Sequence, residues 1–322
     1  MKRIVSCVVL GIGVYAVGAI DGLAQSYPTR PVRVVAPFAP GGGTDFIARL
    51  IAQKLTERLG QQVIVENRPG AGGNVGAEFA IKSPPDGYTL LLVAGSYTVN
   101  PSLYKLSFDP VGDISAIVQL SQGPFVVAVH PSIPAKTLRE FIDLARERPD
   151  KFSYGSAGSG SITHLASELF LDMAGIKVVH VPYKGTGPAL NDAIAGNVQL
   201  IFGSVATALQ FIESGRLRGL AVTTPKRISA APDIPTVSEA GVPGYEVVLW
   251  HGLVGPKAMP RAVVERLNRE SNEALKAKDT EQLLATDGVA PAGGTPEEFL
   301  ATIRNDIVRW RKVVQQANVK VD

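Results

Sequence analysis

The chain is nearly without cysteine. Its one thiol, Cys7, lies in the N-terminal apolar run. The rest of the chain therefore has no disulfide, no thiol nucleophile and no thiolate metal site. Histidine is scarce as well: only His130, His164, His180 and His251 occur. No pair has HExxH-like spacing, which leaves a zinc site unsupported. An excess of one charge is also missing. There are 32 Lys and Arg against 29 Asp and Glu, a formal net charge of +3. No basic cluster is dense enough to point to nucleic acid or an anionic membrane. Finally, no G-x-x-x-x-G-K-[ST] segment exists. A phosphate-binding loop of that class is excluded.

What is present begins with a leader. Lys2-Arg3 precedes the uncharged apolar stretch from Ile4 to Ile20, and Gly22-Leu23-Ala24 follows with small residues where a signal peptidase reads. This predicts a secretory signal peptide over 1–24, cleaved after Ala24. A membrane anchor is the competing reading, but the run is short and interrupted by glycine. Cleavage removes Lys2, Arg3 and Asp21 and leaves a formal charge of +2. An exported chain of this size without disulfides fits a bacterial periplasm.

The remainder has ordinary globular composition, with 45% hydrophobic and 19% charged residues. Its length favours two domains. Strand and helix patterns alternate from Val32. Val32–Phe38 reads as a strand, and the helix from Thr44 sets Phe46, Ile47, Leu50, Ile51, Leu55 and Leu59 on one face before Gly60 stops it. Gln62–Asn67 is a strand, Asn74–Lys82 a helix and Tyr88–Ala94 a strand. This order predicts a parallel sheet covered by helices. Two strand-like runs follow, Ile114–Leu120 and Phe125–His130, joined by Ser121-Gln122-Gly123-Pro124. They carry the chain into a second alternating lobe. Tyr245–Val254 carries it back, and 260–318 is helical in pattern. The expectation is lobe 1 over 25–124 and 250–322, and lobe 2 over 125–249. Two crossing strands join them around a cleft suited to a small molecule.

Three loops lie between a strand and a helix: Pro40-Gly41-Gly42-Gly43-Thr44-Asp45, Tyr154 to Ser161, and Pro182 to Pro188. Helix N-termini present unpaired N–H groups and partial positive charge, and glycine admits a ligand close to that backbone. Each loop can hold an anion without a cationic side chain, aided by the hydroxyls of Thr44, Ser156, Ser159 and Ser161. Plain turn and capping chemistry is the alternative for each loop alone. The first loop is not a dinucleotide fingerprint, since Phe46 stands where the last glycine of G-x-G-x-x-G belongs. Val75 does the same in Gly70-Ala71-Gly72-Gly73-Asn74-Val75. Ser159 lacks a G-x-S-x-G frame, because Ala157 precedes it by two. His164 follows Ser161 by three, so an exported serine hydrolase using Ser161 or Ser159 with His164 stays open as the rival function. Asp45 has the chemistry of a general base, but its place in the first helical turn makes capping the default.

The segments "PFAPGGGTD", "VENRPGAGGNVGAEFA", "SPPDGYTLLL", "YGSAGSGSITHLASELF", "VPYKGTGPALNDAIAGNVQLIF", "LRGLAVTT", "PDIPTVSEAGVPGYEV" and "WHGLVGP" together resemble the Bug family. These are periplasmic solute receptors of tripartite tricarboxylate transporters. The match runs in register from about Tyr27 to the C-terminus. The resemblance implies an α/β, type II periplasmic-binding-protein fold: two hinged lobes that capture a small carboxylate without catalysis or cofactor. In this family the carboxylate is held between the first loop and the glycine-serine loop of the other lobe. The positions that match are Phe38, Ala39, Gly43, Thr44 and Asp45, and Ser156, Ser159, Ser161 and His164. Lys184, Gly185, Pro188, Ser96 and Tyr97 would close the pocket.

One departure stands out. Many members carry an Asp after the phenylalanine of the "QLIF" strand, and here Gly203 follows Phe202. That Asp would face the cleft mouth, and its absence disfavours an amino-acid ligand. Trp250 and Tyr97 keep an aromatic acid open by stacking, although hinge packing also accounts for Trp250. The partners implied are a small organic acid and the membrane components of a transporter, or a sensor. The receptor itself would be a monomer and would bind no nucleic acid.

Overall fold

The computed structural model describes residues 27–286 and 289–316. The expected leader and its cleavage point lie outside the described residues. The first lobe opens with β1 (Val32–Ala36), α1 (Gly43–Leu59), β2 (Val63–Asn67), α2 (Asn74–Ile81) and β3 (Thr89–Ala94). β1 lies between β2 and β3, parallel to both, with Val34 opposite Val65 and Leu90. Alternation along β1 decides its packing. Val34 joins Leu55, Leu90 and Leu253 on one face, while Val35 joins Ala77, Leu91 and Val254 on the other. Both faces are covered where Val34-Val35-Ala36 of β1 and Leu90 to Ala94 of β3 run apolar without a break. α1 stops at Gly60, which takes φ 69° and returns its N–H to Thr56 O. That left-handed position favours glycine.

After the short α3 (Ser96–Val99) comes β4 (Ile114–Val129), a single 16-residue strand. The sequence pattern split it in two at Ser121–Pro124. The chain instead stays extended there, because Gln122, Gly123 and Pro124 face Trp250, Leu249 and Val248 of β9 (Val248–Pro256). The second half of β4 pairs with strands of the other lobe. That lobe comprises α4 (Leu138–Glu147), β5 (Ser153–Ser156), α5 (Ile162–Ala174), β6 (Val179–Pro182), α6 (Thr186–Ala195), β7 (Leu200–Ser204), α7 (Val205–Glu213) and β8 (Arg218–Val222). Phe125 to Val129 run antiparallel to Ser204 to Leu200. β9 pairs with β3 on one side and β4 on the other. One sheet, ordered β2-β1-β3-β9-β4-β7-β5-β6, therefore runs through both lobes.

The chain ends with α8 (Arg261–Leu275), α9 (Lys278–Thr286), β10 (Ala290–Gly293) and α10 (Pro296–Gln316). α10 serves two cores. Phe299 and Ile303 pack with Val35 and Trp250, whereas Trp310 and Val314 pack with Phe170 and Tyr245 of the second lobe. The C-terminal segment thus bridges the lobes, where the sequence pattern placed it wholly in the first.

Candidate binding site between the lobes

The first loop leaves β1 at Ala36 and is organised by Asp45. Its Oδ2 accepts from Gly41 N at 3.1 Å and Arg49 Nε at 2.9 Å, and its Oδ1 accepts from Asn67 Nδ2 at 2.9 Å. Asn67 Nδ2 also reaches Phe38 O at 3.0 Å. Asp45 is only 6% exposed. Burial alone would raise its pKa, but the bonds from Arg49, Asn67 and Gly41 outweigh it and hold the carboxyl below the usual range. The carboxylate is ionised and committed to its own loop. It ties the loop to Arg49 and Asn67 and is not free to act as a base.

The loop then meets the second lobe. Ala39 N donates to Lys184 O at 2.9 Å. A methyl group on Gly187 would stand 2.5 Å from Pro40 O, and one on Gly43 would stand 2.6 Å from Ser204 Oγ. The backbones approach this closely only because neither position has a side chain. The first loop is therefore seated against the starts of α6 and α7.

The glycine-serine loop is knit by its own side chains. Ser161 caps α5, its Oγ accepting from His164 N at 3.3 Å. Thr163 Oγ1 accepts from Ala157 N at 2.9 Å, and Ser156 Oγ accepts from Gly158 N at 3.1 Å. Gly160 N donates to His164 Nδ1 at 3.1 Å, which puts the ring proton on Nε2. His164 stacks on His180 with centroids 4.0 Å apart, and His180 stacks on Tyr154. Burial lowers His164 to about 4; burial and the neighbouring His164 lower His180 to about 3. The spacing suggested a Ser161–His164 pair. The contact is made by the His164 backbone instead, and the ring turns to Gly160. Within this loop it is Ser156 that bonds to an imidazole, 2.6 Å from His180 Nε2, a pairing the sequence pattern did not reveal.

This loop faces a different part of the first lobe from the one expected. Gly72 abuts Ser159 O, at 3.0 Å from where its methyl would lie, and Gly95 abuts Ile162 in the same way. Tyr104 Oη donates to Ser159 O. The seam thus has two halves: the first loop against α6 and α7, and the Gly70–Gly73 loop with Tyr104 against the glycine-serine loop. A cavity of about 340 Å³ opens beside the second half, with Gly72 and Tyr104 on one side and Gly158, Ser159, Tyr183 and Lys184 on the other. Its size suits a small molecule. A larger hollow of about 440 Å³ lies by Val32, Val65 and Thr89. Those are the amino ends of the parallel strands, whereas ligands of open α/β sheets bind at the carboxyl ends. The interlobe cavity is the candidate site.

Other expected residues have other duties. Phe38 packs on Gly73. Ser96 is buried in a small hollow beneath the seam. Tyr97 donates to Pro110 O at 2.9 Å and stacks on Phe108. Trp250 Nε1 donates to Asp306 Oδ2 at 2.6 Å, with its ring edge-on to Phe299. Both rings are occupied, so ring stacking by them is corrected to packing. Gly185 lies against Ala39, and Pro188 lies in the first turn of α6. Gly203 also reads differently: a side chain there would meet Ala208 of its own lobe at 3.2 Å, and it is Ser204 that reaches the seam. His251 was not foreseen. Its Nε2 lies 3.4 Å from Thr44 Oγ1 and its Nδ1 3.1 Å from Ser121 Oγ, linking the first loop to both crossing strands. Burial lowers it to about 3. Only the position of "WHGLVGP" on a returning strand hinted at it.

Among the described residues no group of three His, Asp or Glu is placed to hold a metal, and no helix is long and apolar enough to cross a membrane.

Comparison with known proteins gives a consistent result. The profile of the tripartite tricarboxylate transporter family receptor matches residues 47–319. Protein BugT of Bordetella pertussis is 34% identical over 317 residues, covering 97% of each chain. A solved R. palustris protein with adipate is 36% identical, with TM-score 0.89, over 91% of this chain and 99% of that one. MatC from Rhodopseudomonas palustris with bound malate is 31% identical, with TM-score 0.86, over 89% of this chain and all of that one.

Proposed function

Because the chain belongs to the tripartite tricarboxylate transporter receptor family, we propose that it captures a small organic carboxylate in the cavity between its lobes. It would deliver that solute to the membrane components of a transporter, or report it to a sensor. The observation that carries this reading is the seam itself. Two α/β lobes meet through glycine backbones beside a cavity of about 340 Å³, lined by Gly72 and Tyr104 of one lobe and by Gly158, Ser159, Tyr183 and Lys184 of the other. A carboxylate in such a site would lie beside a lysine at the meeting of two lobes. Relatives of this fold hold adipate and malate, which supports a di-acid of similar size. The receptor works in the periplasm, exported by a leader cleaved after Ala24, as a monomer.

A hydrolase has less support. Ser161 is spent as a helix cap, His164 turns to a backbone amide, and Ser156, although bonded to His180, is 1% exposed. The purified mature protein should show a saturable rise in melting temperature with one or a few carboxylates from a panel of mono-, di- and tricarboxylates, amino acids and aromatic acids. A ligand at a hundredfold its Kd adds about 2.7 kcal/mol. Ester turnover without any such rise would overturn the receptor reading.

A further inference from the structure

Asn100 follows α3 and is 2% exposed. Its Nδ2 donates to Gly72 O at 3.1 Å and to Asn74 Oδ1 at 2.7 Å. Gly72 O can only accept, so the amide is fixed in this orientation. Its Oδ1 is buried and has no donor among the described residues. Buried acceptors are almost always paired, and an orphan calls for a reason.

The place of the orphan supplies one. A methyl on Gly72 would be 3.2 Å from Asn100 Oδ1 and 3.0 Å from Ser159 O. Both oxygens therefore lie over the same glycine, at the seam where the lobes meet. Gly72 lines the 340 Å³ cavity. It also lines a hollow of about 10 Å³ with Asn100 and Ser96. That is the room of about one oxygen atom. An uncharged acceptor beside a carbonyl oxygen repels a carboxylate and attracts a hydrogen-bond donor.

We propose that Asn100 Oδ1 is a specificity determinant that selects a carboxylate bearing a hydroxyl over its unsubstituted parent. This rests on the receptor reading above. The carboxylate sits in the larger cavity beside Lys184, and the hydroxyl enters the small hollow and donates to Asn100. A parent acid leaves that acceptor unpaired, which disfavours it by about tenfold or more.

Calorimetric titration with matched pairs tests this: succinate against malate, glutarate against 2-hydroxyglutarate, adipate against 2-hydroxyadipate. In the wild type, the hydroxy acid of the pair that fits should bind about tenfold or more tightly than its parent. Asn100→Ala should bring the two within about twofold. Asn74→Ala removes a partner of the same amide but keeps Oδ1, and should preserve the preference. A purely structural Asn100 would weaken both acids alike and leave their ratio unchanged. Equal binding of every pair by the wild type overturns the proposal and needs no variant. A preference that survives Asn100→Ala also overturns it. If no acid of either kind binds, the receptor reading falls, and this inference with it.

Discussion

The backbone N–H of Ala39 reaches across the seam to the carbonyl oxygen of Lys184 at 2.9 Å. A main-chain bond between lobes has a geometric requirement: nothing can stand between the two backbones. Gly187 meets it, since a methyl there would fall 2.5 Å from Pro40 O. Its φ is not in the left-handed region, and alanine is a better helix former than glycine. Gly187→Ala should thus add no backbone strain of its own, and a fall in melting temperature should come from the methyl forcing Pro40 and Gly41 away across the seam. The affinity for the best carboxylate should fall about tenfold or more, and the ligand-driven compaction seen by small-angle scattering should be lost. Unchanged affinity would show that closure does not need this contact.

Asp45→Ala removes the partner of Gly41, Arg49 and Asn67 at once. Stability should drop by about 1–3 kcal/mol, and carboxylate affinity should weaken because the first loop loses its anchor. The wild-type carboxyl is depressed in the folded state. Its contribution is therefore present above the unfolded value of about 3.9 and lost as the pH falls through the folded one. Asp45→Asn should flatten that part of the acid limb in urea unfolding measured against pH.

His164, His180 and His251 are held neutral, at about 4, 3 and 3. A depressed folded pKa means the unfolded chain takes up protons first. Stability is full above about pH 6.5 and falls below it, by about 1.4 kcal/mol per pH unit for each group down to its folded value. Thermal melts should thus decline steeply between pH 6.5 and 4. His251→Gln should make that decline shallower. An acid limb that begins only below pH 4 would contradict these environments.

Trp250→Phe deletes one donor to Asp306 and leaves the carboxyl, which burial raises above the ordinary range, to Trp310, Thr98 and the nearby Arg309. A loss of about 1–3 kcal/mol is expected in chemical unfolding. Because the ring packs edge-on against Phe299 and its Nε1 is committed to Asp306, selectivity among acids should not change.

Ser161→Ala should cost about 0.5–2 kcal/mol through the lost cap of α5. A parallel esterase assay should find no activity in wild type or variant.

The elements were legible where the signal is local. The α1 stripe from Ile47 to Leu59, its stop at Gly60 and the three glycine loops follow from period and turn chemistry alone. The position of Asp45 in the first turn suggested a cap, but its bonds run to Gly41, Arg49 and Asn67 and hold the loop instead. What the sequence hid depends on contacts between distant segments. Gly123-Pro124 looks like a break, yet β9 alongside keeps that stretch extended. The Ser156–His180 and Thr44–His251 contacts join residues far apart in the chain, and no spacing rule reports them. Asn100 sits in a stretch with no motif, so only burial and a missing partner single it out. Gly203 misled because one step along a strand reverses the face, and Ser204 takes the place assigned to its neighbour.

The continuity of β4 through both lobes has a further consequence. A ligand-induced rotation cannot act like a loose tether; it must bend or twist a hydrogen-bonded ribbon made of β4 and β9. The two register shifts opposite β9, between Ala116 and Val118 and between Gln119 and Ser121, are points where such a ribbon yields more readily, since irregular ladders already carry extra twist. Nor can either half be excised as a self-sufficient fragment. Cutting between the lobes would strand bare ladder edges on both pieces, the kind of surface that templates aggregation.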